Sequence, residues 1–168
     1  MNIHGIIDEF VAGIDPAGNL FRRIESAPWV EDLEAKLTKR FPVSFRSLIT
    51  RYAFQPFEAG GISFFANTGG DSDEELVVAM FKDRFITEVT MKAGYLQFAR
   101  PEDGSYDPIC FDASRKVSNR EFPIVRLDHE EILCRDRIAV SEGIADSFYR
   151  FAADLVRRNK NVEVLRAE

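Results

Sequence analysis

The hydrophobic pattern of this 168-residue chain changes from helical to strand-like and back again, and that order limits the folds open to it. Near the start, six apolar residues recur at intervals of three and four, which places them on one face of a helix. They are Ile3, Ile6, Ile7, Phe10, Val11 and Ile14. Two more helices are predicted next, one from Ser26 and Pro28 to Phe41, and one after Pro42 with Ser44 as its cap.

The middle of the chain has short apolar or aromatic runs separated by Gly, Pro, Asn and Asp, a pattern typical of strands joined by turns. Strands are predicted at residues 62–65, 76–81, 95–100, 107–112 and 122–127, with one or two short ones within 132–140. Between them, residues 82–93 have the apolar spacing of a helix. Helical spacing returns at Ile144 and continues through Phe148, Phe151 and Leu155.

Helices at both ends with strands between them predict an α+β fold. We expect a central, mainly antiparallel sheet flanked by N-terminal helices and a C-terminal helix. The length suits one core, and no linker or repeat divides the chain, so we predict a single domain over residues 1–168. The residues expected in the core are Phe45, Leu48, Phe111, Phe148, Phe151 and Leu155.

The charge and cysteine content disfavour several classes of function. A net charge of −6 and a pI of about 5.1 give a surface that repels phosphate backbones and anionic lipid. We therefore expect no nucleic-acid or membrane partner, and no apolar run approaches the roughly 20 residues that span a bilayer. The chain starts without the features of a signal peptide, and Cys110 and Cys134 lack metal-binding spacing, as in a cytoplasmic protein with reduced thiols and no cofactor.

Acidic residues are concentrated in two predicted loops, where core packing does not require them. They are Asp71, Asp73, Glu74 and Glu75 after the first predicted strand, with Glu102 and Asp103 in the next hairpin loop. A solvated loop explains such residues, because net charge of this kind keeps proteins in solution. The functional hypothesis is that these six carboxylates form an anionic surface that steers a basic protein partner to its binding site.

The cluster around His129 is the strongest candidate for chemistry. A histidine between Asp128 and the carboxylates of Glu130 and Glu131 has the residue types of a metal or proton-transfer site. Neighbouring residues in a strand point to opposite faces, however, so the four side chains cannot converge unless the chain turns there. We therefore predict a solvated strand end and no metal site.

Three other reactive side chains have structural explanations in the sequence. Asp107 precedes Pro108 and Asp112 precedes Ala113 and Ser114, as expected of residues that form turns. Cys110 lies between apolar neighbours, which raise the pKa of a thiol and make it unreactive. The sequence therefore predicts no catalytic residue.

Four stretches of sequence occur in the order and spacing of one protein family. They are WVEDLEAKLTKRFPVSFRSLITRY at 29–52, the Gly60-Gly61 pair with the strand after it, YDPICFD at 106–112 with PIVRLDHE at 123–130, and SFYRFAADL at 147–155. In these features the chain resembles the SUKH superfamily, which includes bacterial immunity proteins and fungal cell-wall-assembly regulators. It departs from the family pattern at Phe41, where leucine is usual, and at 52–54, where a Gly-containing turn is common.

The resemblance implies an α+β fold with a central antiparallel sheet, and a function in which bacterial members neutralise protein toxins by binding them. It brings no catalytic residues. We therefore predict a non-catalytic immunity protein that acts by occlusion, with a basic toxin domain as its expected partner. Two alternatives stay open: a regulatory or scaffold protein that binds an endogenous partner and, less favoured, a hydrolase that uses Asp112 or His129.

Overall fold

The computed structural model describes residues 2–115 and 120–167, with the backbone alone for 159–167, and seven helices and eight strands lie in this part of the chain. The helices are α1 (Ile3–Ile14), α2 (Pro28–Leu37), α3 (Val43–Arg51), α4 (Leu76–Lys82), α5 (Arg84–Lys92), α6 (His129–Arg135) and α7 (Phe148–Ala167). The strands are β1 (Phe21–Arg23), β2 (Tyr52–Phe54), β3 (Phe57–Ala59), β4 (Ile62–Phe64), β5 (Tyr95–Pro101), β6 (Ile109–Asp112), β7 (Ile124–Leu127) and β8 (Val140–Ala145).

A six-stranded antiparallel sheet forms the centre of the fold. Its strands follow chain order from β3 to β8, and each is antiparallel to its neighbour. A separate antiparallel pair, β1 and β2, precedes it. The predicted α+β class and antiparallel sheet are confirmed, whereas the three strands before Ile62 were not predicted.

Phenylalanine rings fill the core on one face of the sheet. Phe98 and Phe111 from neighbouring strands stack with ring centroids 4.0 Å apart. Phe45 of α3 packs 5.0 Å from Phe111 and 5.3 Å from Phe148 of α7, so helices from both ends of the chain meet on this face. Of the predicted core residues, Leu155 is half-buried, and those fully confirmed as buried are Phe45, Leu48, Phe111, Phe148 and Phe151.

The opposite face of the sheet carries a smaller apolar cluster. Because successive strand residues point to opposite faces, Cys110 lies on this side while its neighbour Phe111 lies in the main core. Helices α5 and α6 cover the cluster through Ile86, Val89 and Ile132. Helices therefore pack on both faces of the sheet.

Residues 76–81 were predicted to form a buried strand, and this is wrong because they form α4. The helix buries Leu76, Ala79 and Met80, which have helical spacing, while Val77 and Phe81 are exposed. An unbroken apolar run does not distinguish a strand from a helix that carries apolar residues on its solvent side.

The strands expected within 132–140 are also absent, apart from the first residue of β8 at the end of that range. The carboxylate of Asp128 accepts the N–H groups of Glu130 (2.9 Å) and Glu131 (3.1 Å) and so caps the start of α6. Asp136 ends that helix in the left-handed conformation, with φ of 50°. The predicted strand end at Asp128 is therefore a helix N-terminus.

Several helix boundaries differ from their predicted positions. α2 ends at a left-handed Thr38, before Phe41. Ser44 does not cap α3; its N–H (2.8 Å) and hydroxyl (2.7 Å) donate to the buried carboxylate of Glu121 near the start of that helix, where a negative charge is favourable. Ile144 belongs to β8, while the helix predicted within 82–93 is confirmed as α5.

Candidate functional site

The acidic loop predicted from sequence lies between β4 and α4, and backbone hydrogen bonds close it at its base. The N–H of Ala66 donates to the carbonyl of Glu74 (2.7 Å), and the N–H of Leu76 donates to the carbonyl of Ala66 (2.8 Å). Beside this closure, the buried side chain of Asn67 accepts the N–H of Phe54 at 2.7 Å. The base of the loop is therefore held against β2 and the first turn of α4.

The four loop carboxylates are not equivalent. Glu75 is buried, 6% exposed, and accepts hydrogen bonds from the hydroxyl of Thr68 and the N–H of Gly69 (3.3 Å). It therefore fixes the turn that precedes the acidic tip and does not contribute to the exposed surface. Asp73 is exposed and pairs with Lys82 at the end of α4, which holds the tip along the helix.

Exposed apolar side chains lie on the two helices that follow the loop. Val77 and Phe81 of α4 are each 37% exposed, and Phe85 in the first turn of α5 is 44% exposed. Val77 and Phe81 are four residues apart and so share one helix face. We define the loop–helix surface by six residues: Asp71, Asp73, Glu74, Val77, Phe81 and Phe85.

The apolar half of the loop–helix surface was missed from the sequence. The sequence did contain an indication of it. Val77, Phe81 and Phe85 fall within nine positions, and a short helix cannot bury these large apolar side chains in addition to its core-facing ones. The strand prediction assigned Val77 and Phe81 to the core, which concealed that surplus.

The other two predicted partner-binding residues lie at the opposite end of β4. The N–H of Glu102 donates to the carbonyl of Gly61 (3.0 Å), which precedes β4, whereas the acidic loop follows that strand. The three residues of β4 separate the two ends by roughly 10 Å. Glu102 and Asp103 line a different cleft, of about 470 Å³, together with Arg126 and Glu142. The structure therefore does not join them to the acidic loop.

An ion-pair network connects that cleft to His129. Arg126 binds Asp103 (2.9 Å) and Asp107 (2.7 Å), and Nδ1 of His129 lies 2.6 Å from Asp107. Burial raises the pKa of the Asp107 carboxyl, but the hydrogen bonds from His129 and Arg126 outweigh it and hold this pKa below its ordinary value. Since Asp107 is an ionised acceptor, Nδ1 carries the proton, and a neutral His129 has its lone pair on Nε2.

This network also brings together possible metal ligands. One ligand atom from each of Asp107, Asp128 and His129 lies within 4.8 Å of the others, a convergence that the strand prediction did not allow. Both oxygens of Asp107 already accept hydrogen bonds, one of them from Arg126, and Asp128 Oδ1 caps α6. A divalent cation would compete with these donors and lie beside a guanidinium, which favours a structural ion-pair network over a metal site.

The remaining candidates for chemistry, Asp112 and Cys110, have structural roles. Asp112 is 2% exposed and accepts from the N–H (3.1 Å) and the hydroxyl of Ser114, the turn role predicted for it. Burial raises the pKa of the Cys110 thiol far above its ordinary value. Within the described part of the chain, no hydroxyl or thiol is hydrogen-bonded to His129.

In residues 2–115 and 120–167, none of the helices combines the length and apolar character needed to cross a membrane. Comparison with models of known protein families gives no match, and no curated protein matches the chain.

Proposed function

We propose that this protein is a non-catalytic binding module whose partner docks on the loop–helix surface. The observation that carries the proposal is the exposure of Val77, Phe81 and Phe85 on the two helices that directly follow an acidic loop whose base is closed by hydrogen bonds. Protein interfaces commonly have an apolar centre and a polar rim, and exposed apolar residues that cluster are a mark of interaction sites.

The acidic rim indicates the charge of the partner. Asp71, Asp73 and Glu74 project from a chain of net charge −6, which attracts a basic protein and raises its rate of association. Toxins that act on nucleic acid are often basic, because their substrate is a polyanion. Together with the SUKH resemblance, this supports an immunity protein of the cytoplasm that covers a basic toxin domain and performs no chemistry itself.

A regulatory or scaffold protein with an endogenous partner would use the same surface. The gene neighbourhood separates the two functions, since an adjacent gene for a secreted toxin favours the immunity role. The hydrolase alternative is less favoured. Asp112 is engaged in a turn, and the Asp107–His129 pair has the orientation of a general base but lacks a hydrogen-bonded nucleophile among the described residues.

Affinity capture from the native host, followed by mass spectrometry, tests this proposal. The wild-type protein is compared with Val77→Ser/Phe81→Ser, and with Tyr106→Ser/Val140→Ser as a matched control that alters exposed residues elsewhere. We expect one basic protein to be retained by the wild type and the control, and reduced by at least about tenfold with the surface variant.

The captured protein should carry a toxic activity that an equimolar amount of the wild-type protein abolishes. Retention of the partner by Val77→Ser/Phe81→Ser would refute the docking surface. A partner without toxic activity would favour the regulatory function.

A further inference from the structure

A second groove lies apart from the loop–helix surface and differs from it in charge. It has a volume of about 1280 Å³ and is lined by parts of α1, α2 and α3 and by the chain around Ala113 and Phe122. Apolar side chains that line it include Phe41, Val43 and Phe122. None of the residues of the loop–helix surface takes part.

Cations outnumber carboxylates in this groove. Its charged lining residues are Glu31, Glu34, Lys39, Arg40, Arg46 and Arg120. Four cations minus two carboxylates leave a charge of +2, without His4, in a protein whose overall charge is −6. The lining of the groove therefore has the opposite sign of charge to the protein as a whole.

The two groove carboxylates are already occupied by one cation. Glu34 is 7% exposed and accepts the N–H of Phe41 (3.0 Å) and Nε of Arg46 (3.2 Å). The same guanidinium lies 3.7 Å from Glu31. Arg46 and these two carboxylates therefore compensate one another within the wall of the groove.

The other three cations, Lys39, Arg40 and Arg120, are exposed and form no ion pair with any residue that the structure describes. Ordered residues lie next to them in the chain. Lys39 and Arg40 follow the left-handed Thr38 that ends α2, and Arg120 precedes Glu121, which is anchored on Ser44.

We propose that this groove binds an acidic segment of a partner polypeptide. The guanidinium groups of Arg40 and Arg120 suit carboxylates, which they can bind through paired hydrogen bonds, and the half-buried Ile3 and Val43 offer contacts for an apolar side chain. The volume exceeds the roughly 300–1,000 Å³ of small-molecule pockets and suits several residues of extended chain. A nucleic acid would extend past the groove and bring further phosphates against the acidic remainder of the surface, whereas a short acidic segment keeps its charge within the groove.

The site is tested by fluorescence anisotropy with a labelled peptide of about eight residues, glutamates around a central Leu-Phe, and with its all-glutamine counterpart. The groove variant is Lys39→Gln/Arg40→Gln/Arg120→Gln. The control, Arg22→Gln/Arg84→Gln/Lys92→Gln, removes the same charge from exposed positions outside the groove. Equal urea-unfolding midpoints establish that both variants fold.

We expect saturable binding of the acidic peptide, with Kd raised at least about tenfold by the groove variant and by the glutamine peptide, and little changed by the control variant. Failure of the acidic peptide to saturate the wild type, or equal losses in the two variants, would overturn the proposal. Inorganic phosphate or a short RNA that binds as tightly as the peptide, and depends on the same three cations, would also overturn it. Each of these results leaves the loop–helix surface unaffected, since that surface shares no residue with the groove.

Discussion

Two glutamates that are neighbours in the acidic loop have different physical roles. Glu75 is buried and holds Thr68 and Gly69, whereas Glu74 is exposed and contributes charge at the tip. Sequence alone cannot separate them, because the difference arises from the turn that folds back over one carboxylate. The exposed residue is available to a partner, and the buried one determines the shape of the loop.

Replacement of these residues by alanine measures the distinction. Glu75→Ala leaves the hydroxyl of Thr68 and the N–H of Gly69 without their acceptor, so we expect the free energy of unfolding to fall by roughly 1–3 kcal/mol. Glu74→Ala should change it by less than about 0.5 kcal/mol. Urea denaturation of the two variants provides the comparison, and equal losses would contradict the assigned roles.

Asp107 gives the protein a defined dependence on pH. Hydrogen bonds from His129 and Arg126 hold its folded-state pKa below that of the unfolded chain. Its contribution to stability is therefore complete above the unfolded value of about 3.9 and is lost as pH falls through the folded value. We expect Asp107→Asn to cost roughly 1–3 kcal/mol at pH 7, because Arg126 and His129 lose a charged acceptor.

The stability difference between wild type and Asp107→Asn should be smaller at pH 3 than at pH 7. Urea denaturation at the two pH values measures it, with Asp32→Asn, at an exposed position, as the control. A difference that stays constant or grows on acidification would show that the Asp107 carboxylate is not the titrating contributor.

At the scale of elements, the end of β7 turns into a helix because Asp128 caps it. Asp128→Ala removes the acceptor for the N–H groups of Glu130 and Glu131, and should lower the free energy of unfolding by about 1 kcal/mol. Asp128→Ser retains a capping oxygen and should recover most of that loss. Equal destabilisation by alanine and serine would argue against capping as the reason that α6 begins there.

The elements that were predicted correctly have hydrophobic patterns that fit only one kind of secondary structure. α1 has a continuous apolar stripe at helical spacing, and β5 and β6 are apolar runs separated by a turn. α4 and α6 were assigned to strands because each is short, a length at which the two periodicities cannot be told apart. In α6 only Ile132 is buried, so no stripe marks it as a helix.

The candidate site was predictable in part. The high frequency of Asp and Glu at 71–75 predicted the acidic loop, and the tip residues Asp71, Asp73 and Glu74 are exposed in the structure. The apolar residues beside them were not recognised, because an apolar residue is expected to be buried until the backbone shows otherwise. Asp107 and His129 are 22 residues apart in the sequence and meet only because the sheet and α6 pack together. No pattern in the sequence around either residue predicts this contact.

At the scale of the whole molecule, packing of phenylalanine rings joins the two ends of the chain to the sheet. Phe151 of α7 is 7% exposed, while Phe81 of α4 is 37% exposed. Phe151→Ala should therefore lower the free energy of unfolding by roughly 3–5 kcal/mol, and Phe81→Ala by less than about 1 kcal/mol. Thermal or urea unfolding measures both, and a loss under about 1 kcal/mol at Phe151 would refute its place in the core.

The central claim is that the loop–helix surface receives the partner, and the rate of association measures it most directly. Exposed charges at an interface act mainly on encounter, and their effect is screened by salt. The test measures the rate at which the isolated partner associates with the wild-type protein and with the surface variant Asp71→Asn/Asp73→Asn/Glu74→Gln. Both rates are measured at low and at high ionic strength. Asp32→Asn/Glu58→Gln/Asp136→Asn is the control, with the same charge change at exposed positions outside the surface.

We expect the surface variant to bind at least about fivefold more slowly than wild type at low salt, with a smaller difference at high salt and a lesser change in dissociation. The control variant should retain most of the wild-type rate. An association rate at low salt that is unchanged in the surface variant, or reduced equally in the control, would contradict the claim that the partner meets this surface.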